Sequence, residues 1–427
     1  MKSIRFPVPL LFLLLMFGTA AWRGPGLWGE WGLPGIAILS LIVCRSFPPR
    51  IWAGGAAILG LIALYAWNPT HRWNEGVGLL PVDHVSWLPG SVFPEGTRQA
   101  WGLAAAMLAS CALAFQLSEN QVRRLQMAAM LGAAALALVV LAQRLEPRPF
   151  PVFERTGIFI NENHYAVFSN LLLPVVLALA SRAHFRAVQE GRPSSPAGVF
   201  MLVAVLMAAA VVLCRSRAGI LVMALLVAAH VVLCRRLVRR HPFAGVPVRG
   251  WGKWAAGVAV VAAAALAIAA FAREWHQIGD IRKEWDFRTG ILEDTMSMWK
   301  SRPAWGTGPG TYSVAYPYYQ SEAYQDGAIL HAHCEPVQFL SESGLLGGLW
   351  FVLAAGLALS ARKGGSPRAE QIPPFADLER RAFLLGLLAC ALHGGIDFPL
   401  RVPLIALIAA AWAGVWAGTR PGRMEPA

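Results

Sequence analysis

Long apolar runs recur along almost the whole chain, and they constrain its fold more than any other feature of the sequence. A helix that crosses a lipid bilayer needs about 20 predominantly apolar residues. The runs here approach that length, and the Pro and Gly residues inside them are compatible with helices in a membrane. We predict twelve membrane spans, at roughly residues 6–22, 31–44, 51–67, 99–117, 124–143, 164–181, 198–214, 218–234, 254–272, 344–361, 382–396 and 402–418.

The composition excludes a soluble globular protein. Charged residues make up only 14% of the 427 residues and hydrophobic residues make up 56%, whereas soluble domains carry about 25% charged residues. The six cysteines have no paired spacing, so we predict no disulfide framework. The predicted fold class is therefore an all-α, polytopic membrane protein with about twelve transmembrane helices.

The distribution of Lys and Arg predicts the orientation of these spans. With the N-terminus in the cytoplasm, 22 of the 37 Lys and Arg residues fall in cytoplasmic segments, as the positive-inside rule requires. This distribution accounts for the net charge of +13 without a nucleic-acid partner. We therefore predict a multi-pass protein of a bacterial inner membrane in three parts: spans one to nine in residues 1–272, a large periplasmic loop in 273–343, and three spans in 344–427.

The predicted loop contains most of the polar chemistry of the chain. The stretch FRTGILEDTMSMWKSRP predicts an amphipathic helix from about Phe287 to Pro303 that packs on the membrane surface or on span ends. Arg288 would then oppose the helix dipole and would need an anion, which Asp286 can supply. The following WGTGPGTY lacks the GK[ST] ending of a phosphate-binding loop, so we predict a tight turn that acts as a hinge. Five of the seven tyrosines follow, and they fit either an interfacial belt or a platform for sugars: Tyr312, Tyr316, Tyr318, Tyr319 and Tyr324.

A second polar segment, HAHCEPVQFLSESG, closes the loop. His331, His333 and Glu335 alternate, so in an extended backbone they point to one face. Two imidazoles and a carboxylate can hold a zinc ion, but no HExxH or CxxC spacing supports a metal site here. We favour a neutral histidine that acts as an acid, a base or a positioning group.

Two short segments between spans contain further candidates. Arg215 and Arg217 lie at the junction of two apolar runs, where a charge is costly unless it faces water, lipid headgroups or an anion. Guanidinium groups suit phosphate because they are planar, always charged and bidentate, although either arginine could simply reach the interface with its long side chain. In the segment NENH, Asn161, Asn163 and His164 either line a binding site or cap the span that follows.

Taken in order, the segments RTGIFINENHYA, RSRAG, RPAWGTGPGTY and HAHCEPVQFLSESGLLG resemble the O-antigen ligase family. That family also contains O-antigen and exopolysaccharide polymerases and protein O-oligosaccharyltransferases. The resemblance covers roughly residues 155–360. The family pattern usually has Asn after the second histidine, where this chain has Cys334.

The resemblance implies a GT-C-like, inverting glycosyltransferase that needs no metal or other cofactor. Its donor would be a glycan on undecaprenyl diphosphate, and its acceptor a lipid A core sugar, a growing polysaccharide or a protein. By the same resemblance, Arg217 and Arg288 would bind the diphosphate and His333 would lie at the reacting centre. Arg215, two residues before Arg217, is a further candidate for binding the diphosphate. Fixed arginines can stabilise the charge that develops on the leaving diphosphate. The acceptor hydroxyl needs a proton acceptor, for which His333 is the first candidate and Glu335 the second.

A transporter or flippase of lipid-linked sugars is the alternative. Twelve spans fit it equally well, but a transporter concentrates ionisable residues near the middle of the membrane. The predicted spans are nearly free of such residues, which favours the enzyme. We expect Arg217, Arg288 and His333 to converge on one cavity at the periplasmic membrane surface, with Asn161, Asn163, His164 and His331 along its walls.

Overall fold

The structure is a computed structural model that describes residues 33–43, 48–145, 156–240, 278–321, 328–360 and 374–418. The predicted spans at 6–22 and 254–272 lie outside these residues, as does Tyr324. The described chain is mostly helical, in agreement with the predicted all-α class. Its helices are α1 (Leu33–Val43), α2 (Pro49–Trp67), α3 (Pro94–Phe115), α4 (Glu119–Leu145), α5 (Glu162–Gln189), α6 (Ala197–Leu213), α7 (Arg217–Arg240), α8 (Ile278–Ser301), α9 (Tyr312–Ala315), α10 (Glu335–Ser360), α11 (Pro374–Gly394) and α12 (Pro403–Gly418). Two short strands, β1 (His71–Asn74) and β2 (Gly78–Pro81), form an antiparallel hairpin after α2.

Within the described residues, five helices are long and apolar enough to cross a membrane by length and composition: α2, α4, α5, α7 and α10. Two shorter helices, α6 and α12, are also apolar. These seven helices coincide with predicted spans, and the chain is accordingly an α-helical membrane protein. The full set of twelve spans and the periplasmic position of the loop stay predictions.

The chain folds into two compact units, each assembled from segments that are distant in the sequence. The first unit comprises Met1–Gln116, Gly279–Ser366 and Gly394–Gly414. The second unit comprises Leu117–Ile278, Pro367–His393 and Val415–Ala427. The predicted division into residues 1–272, 273–343 and 344–427 follows the expected membrane topology rather than these units, and it stays a prediction.

The second unit is built around α5. This helix is apolar on all sides and buried along almost its entire length, as expected for a helix at the centre of a bundle. Helices α4, α6 and α7 pack against it. On α11, Gly386 lies so close to the Leu171 carbonyl of α5 that no Cβ would fit. Val222 and Leu226 of α7 form a buried cluster with Ala389 of α11.

The first unit contains a sharp kink in α10. Gly344 has a φ of +65°, so that two helical segments meet there. The glycine-rich turn packs on this kink through backbone hydrogen bonds: Leu345 N donates to Pro303 O at 2.9 Å, and Gly308 N donates to Glu342 O at 2.8 Å. The sequence predicted a hinge here, but these bonds make the turn a fixed support for α10.

Helix α8 differs from the predicted amphipathic helix at its start. It begins at Ile278 rather than near Phe287, because the charged residues before Phe287 continue the helix. Arg288 therefore lies in the third turn, where the dipole argument does not apply.

Two residues of the apolar stripe of α8 face a buried core. Ile291 and Met298 are fully buried with Val92, Tyr312 and Tyr316, whereas Phe287 is 40% exposed. Val92 lies just before α3, and the predicted packing of the stripe on the membrane surface or on span ends stays a prediction. Burial also removes Tyr312 and Tyr316 from any interfacial belt or sugar platform.

Candidate active site

The HAH segment packs against the turn that joins α11 to α12, residues 394–401. The ring centroid of His331 lies 4.1 Å from that of Phe398, and the ring centroid of His333 lies 5.1 Å from it. Ala332, between the two histidines, is fully buried on the other side. Both imidazoles thus lie against the same phenyl ring, as the alternation predicts for the two histidines, although the segment is not extended: His333 has a left-handed φ of +52° and Glu335 begins α10.

A buried carboxylate lies beside the second histidine. Asp397 Oδ1 is 3.6 Å from His333 Nδ1, slightly beyond a hydrogen bond but well within ion-pair range. Only 1% of the Asp397 side chain is exposed, against 27% for His333, and Asp397 Oδ1 also accepts a hydrogen bond from Phe398 N at 3.0 Å. His333 has a φ of +52°, an uncommon conformation that its surroundings must hold. This arrangement suits an imidazole that gains a proton while it faces an acceptor.

Arg288 reaches the same turn from α8. Its Nη1 donates to Ile396 O at 2.9 Å, and its Nη2 lies 3.1 Å from Glu284 Oε1. Arg288 is therefore paired with the carboxylate of Glu284, whereas the sequence suggested Asp286. Because Ile396 directly precedes Asp397, the 394–401 turn brings Arg288 and His333 to neighbouring positions.

Glu335 holds the far end of the turn. Its Oε1 accepts a hydrogen bond from Leu400 N at 2.5 Å. Among the predicted site residues of the first unit, the structure thus brings together Arg288, His331, His333 and Glu335 around one turn.

A buried polar network fixes the HAH segment from behind. Arg401 Nη2 lies 2.7 Å from Glu342 Oε2, and Glu342 is only 1% exposed. Glu342 Oε1 accepts from Gln338 Nε2 at 3.4 Å, and Gln338 Oε1 in turn accepts from Ala332 N at 3.1 Å. Gln338 Nε2 also lies 3.4 Å from His331 Nδ1. Since satisfied buried networks rigidify their surroundings, this network positions both histidines.

The remaining predicted site residues belong to the second unit. Arg215 and Arg217 are exposed and flank the buried Ser216, and residues 215–217 are called the arginine turn below. Arg215 has a φ of +66°, which is rare for a residue with a side chain. Arg217 is the first residue of α7.

The NENH segment meets the arginine turn. Asn161 caps α5, because its side chain accepts from Asn163 N at 2.8 Å, which confirms the capping interpretation for this residue. Asn163 Oδ1 accepts from Ser216 Oγ at 2.7 Å, so Asn163 lies beside the arginines. His164 is only 2% exposed, inside the first turn of α5.

The 394–401 turn was not predicted from the sequence. Asp397 and Arg401 were the available signal, because they interrupt the apolar character between the predicted spans at 382–396 and 402–418. Asp397 is the most consequential omission, since it is the carboxylate beside His333.

The metal alternative for the HAH segment can be tested on geometry. In the part of the chain that the structure describes, no group of three or more His, Cys, Asp or Glu side chains is arranged to hold a metal ion. Glu335 instead bonds the backbone of the 394–401 turn.

One family model matches part of the chain. Residues 202–352 match the family model described as O-antigen ligase, Wzy_C. This segment of the chain is similar to that family. The match covers about a third of the chain and lies within the segment, roughly 155–360, for which the sequence predicts a resemblance to this family. No curated protein matches the chain.

The matched segment contains six of the predicted site residues: Arg215, Arg217, Arg288, His331, His333 and Glu335. The NENH segment and Asp397 lie outside it.

Proposed function

We propose that this protein transfers a glycan from undecaprenyl diphosphate to an acceptor hydroxyl at the periplasmic face of a bacterial inner membrane. The observation that carries the proposal is the joint position of Arg288 and His333 at the 394–401 turn. One group is a permanent cation suited to a diphosphate, and the other is a base beside a buried carboxylate. A lipid diphosphate keeps its charged group at the membrane surface, where a loop that closes on helix ends can reach it.

The chemical step follows from these groups. The acceptor hydroxyl oxygen attacks the anomeric carbon of the donor while His333 takes the hydroxyl proton. The bond between the anomeric carbon and the diphosphate oxygen breaks, and its electron pair leaves with the diphosphate. Attack opposite the leaving group inverts the anomeric configuration. Asp397 stabilises the imidazolium that forms.

The arginines stabilise the charge that develops on the leaving group. In this proposal Arg288 and Arg217, with Arg215, bind the diphosphate. Fixed cations at the position of developing charge lower the barrier without reorganisation, and no metal ion is required in this proposal. Asn161, Asn163, His164 and His331 contribute to the walls, with Asn163 adjacent to the arginines.

The test uses the full chain reconstituted in vesicles with a defined undecaprenyl diphosphate-linked glycan. Replacement of Arg217, Arg288 or His333 by Ala is expected to abolish transfer at unchanged protein level. Normal transfer by all three variants would overturn the proposal. The anomeric configuration of the product, determined by NMR, tests inversion directly.

Three further arms separate the finer claims. Offering a lipid A core, a polysaccharide and a protein acceptor in turn identifies the acceptor class. We expect a chelator to leave transfer unchanged, whereas activity lost to chelation and restored by zinc would revive the metal site. Movement of the lipid-linked glycan across the vesicle membrane with no transfer to any acceptor would instead favour the flippase.

A further inference from the structure

Ser216 is a buried hydroxyl between two exposed arginines. It is 2% exposed, while Arg215 and Arg217 on either side are exposed. Its Oγ donates to Asn163 Oδ1 at 2.7 Å and accepts from Gly219 N at 3.1 Å. The second bond caps α7, as serine commonly does. The first bond has no part in capping and ties the arginine turn to another helix.

The partner of Ser216 is itself held in place. Asn163 N donates to the Asn161 side chain at the start of α5. Two more contacts join the helices just beyond the arginine turn: Asn170 Nδ2 donates to Gly219 O at 2.9 Å, and Gly219 lies so close to Ala166 that a Cβ there would clash. The start of α7 therefore has a fixed position on α5, and the Ser216–Asn163 bond extends this attachment to the arginines.

The backbone of the arginine turn needs such an attachment. Arg215 adopts a left-handed conformation that L-residues disfavour, and strained conformations persist only where the surrounding structure holds them. One ion pair lies near the turn: Arg144 and Glu162 bind each other. Both lie close to Cys214, which directly precedes the turn. The backbone N–H of Arg215 donates to Val212 O at 3.0 Å. The Ser216 hydroxyl bonds the neighbouring helix and thereby fixes the residue that directly follows Arg215.

We propose that Ser216 is a positioning residue for the lipid diphosphate: through its hydrogen bond to Asn163 it holds residues 215–217 so that Arg215 and Arg217 bind the same diphosphate. The inference rests on the proposed function and adds a residue that does not touch the substrate. Without the Ser216 hydroxyl, Arg215 relaxes from its left-handed conformation and the two guanidinium groups separate. The loss falls on donor binding rather than on the chemical step, because the contacts of Ser216 hold the arginines and not the base.

The experiment compares Ser216→Ala, Ser216→Thr and Asn163→Ala with the wild type in the reconstituted transfer assay. We expect Ser216→Ala to raise the KM for the lipid-linked donor about tenfold, the effect of one lost hydrogen bond, with kcat within about twofold. Ser216→Thr keeps the hydroxyl and restores the KM. Asn163→Ala reproduces the Ser216→Ala effect, and the double variant is no worse than either single one, because both changes break the same bond.

Ser195→Ala is the matched control. Ser195 Oγ accepts from Ala197 N, the first residue of α6, at 3.1 Å, and its substitution removes a hydrogen bond at the start of a helix of the same unit without touching the arginine turn. If capping were the only role of Ser216, both Ser→Ala variants would lower the melting temperature and neither would change the donor KM. That outcome, or additive effects of Ser216→Ala and Asn163→Ala, overturns the inference.

Two outcomes separate this inference from the proposed function. If the wild type transfers glycan and Ser216→Ala has the same donor KM as the wild type, the inference about Ser216 is wrong and the proposed function stands. If the wild type transfers no glycan, thermal stabilisation by undecaprenyl diphosphate is measured instead, and equal affinities of the wild type and the variant again defeat the inference. Should Ser216→Ala fail to fold, Asn163→Ala and its donor KM decide the matter.

Discussion

Replacing Asp397 by Asn removes one negative charge from the side of His333 with almost no change in shape. The amide oxygen of Asn can still accept the hydrogen bond from Phe398 N, so the turn keeps its geometry. At 3.6 Å, Coulomb's law gives about 4–5 kcal/mol between two unit charges at an effective dielectric constant of about 20. Because 27% of the His333 side chain is exposed, solvent weakens this interaction. We therefore expect kcat to fall about 100- to 1,000-fold.

The assay is single-turnover transfer from a lipid diphosphate-linked glycan at a saturating donor concentration, so that binding and product release do not hide the chemical step. The donor KM should change little, since Asp397 faces the base rather than the diphosphate. Asp294→Asn is the matched control: Asp294 accepts hydrogen bonds from Tyr316, at 3.0 Å, and from Ser321 in the same loop. That variant should lose stability and keep its kcat per folded molecule.

A rate for Asp397→Asn within about threefold of the wild type would refute the reasoning. It would mean that no imidazolium develops beside Asp397 in the transition state, and His333 would lose its assignment as the base. A large fall that Asp294→Asn shared equally would point to general destabilisation instead.

Three further predictions concern other charged residues. Arg288→Lys should not rescue Arg288→Ala, because an ammonium cannot bind a diphosphate bidentately while it also donates to the Ile396 carbonyl; a wild-type donor KM for Arg288→Lys would count against this. Glu335→Gln should keep transfer within about fivefold of the wild type, because the amide oxygen still accepts from Leu400 N. If Glu335→Gln instead lost as much transfer as Glu335→Ala, Glu335 would be the base. Arg182→Met should lower stability by about 3 kcal/mol, because it removes the cation 2.5 Å from Glu379, whose side chain is only 12% exposed. Adding Glu379→Leu should recover most of the melting temperature, and no recovery would show that the pair is not the cause.

Local sequence signals predicted the parts of the site that depend on short-range chemistry. Asn161 precedes an apolar run and caps it, as its side chain predicts. The alternation of His331 and His333 placed both imidazoles on one face, and both lie against Phe398. Both outcomes depend on residues only a few positions apart, although the histidine segment is not the predicted extended backbone, since His333 has a φ of +52°.

Longer-range features could not be predicted in the same way. The extra turns at the start of α8 are rich in charged residues, so the apolar stripe was recognised only from Phe287 onwards. One stabilising pair in these turns, Glu284 with Arg288, links positions i and i+4. The contact of Asp397 with His333 joins residues 64 positions apart, and no local pattern determines such a distance. Convergence of Arg217 on the same site is a relation of this kind, and it stays a prediction.

The glycine-rich turn shows how a conspicuous motif can serve the site without touching a ligand. Gly308 has a φ of +107°, and its N–H donates to Glu342 O, while the Glu342 side chain bonds Gln338. Gln338 in turn holds the backbone between the two histidines through Ala332 N. A side chain at Gly308 would be strained and would press on Ser91, which would displace the turn from α10. The glycines are therefore required for the placement of the histidines. This supporting role does not need the sequence features of a phosphate-binding loop, although the proposed substrate is a diphosphate.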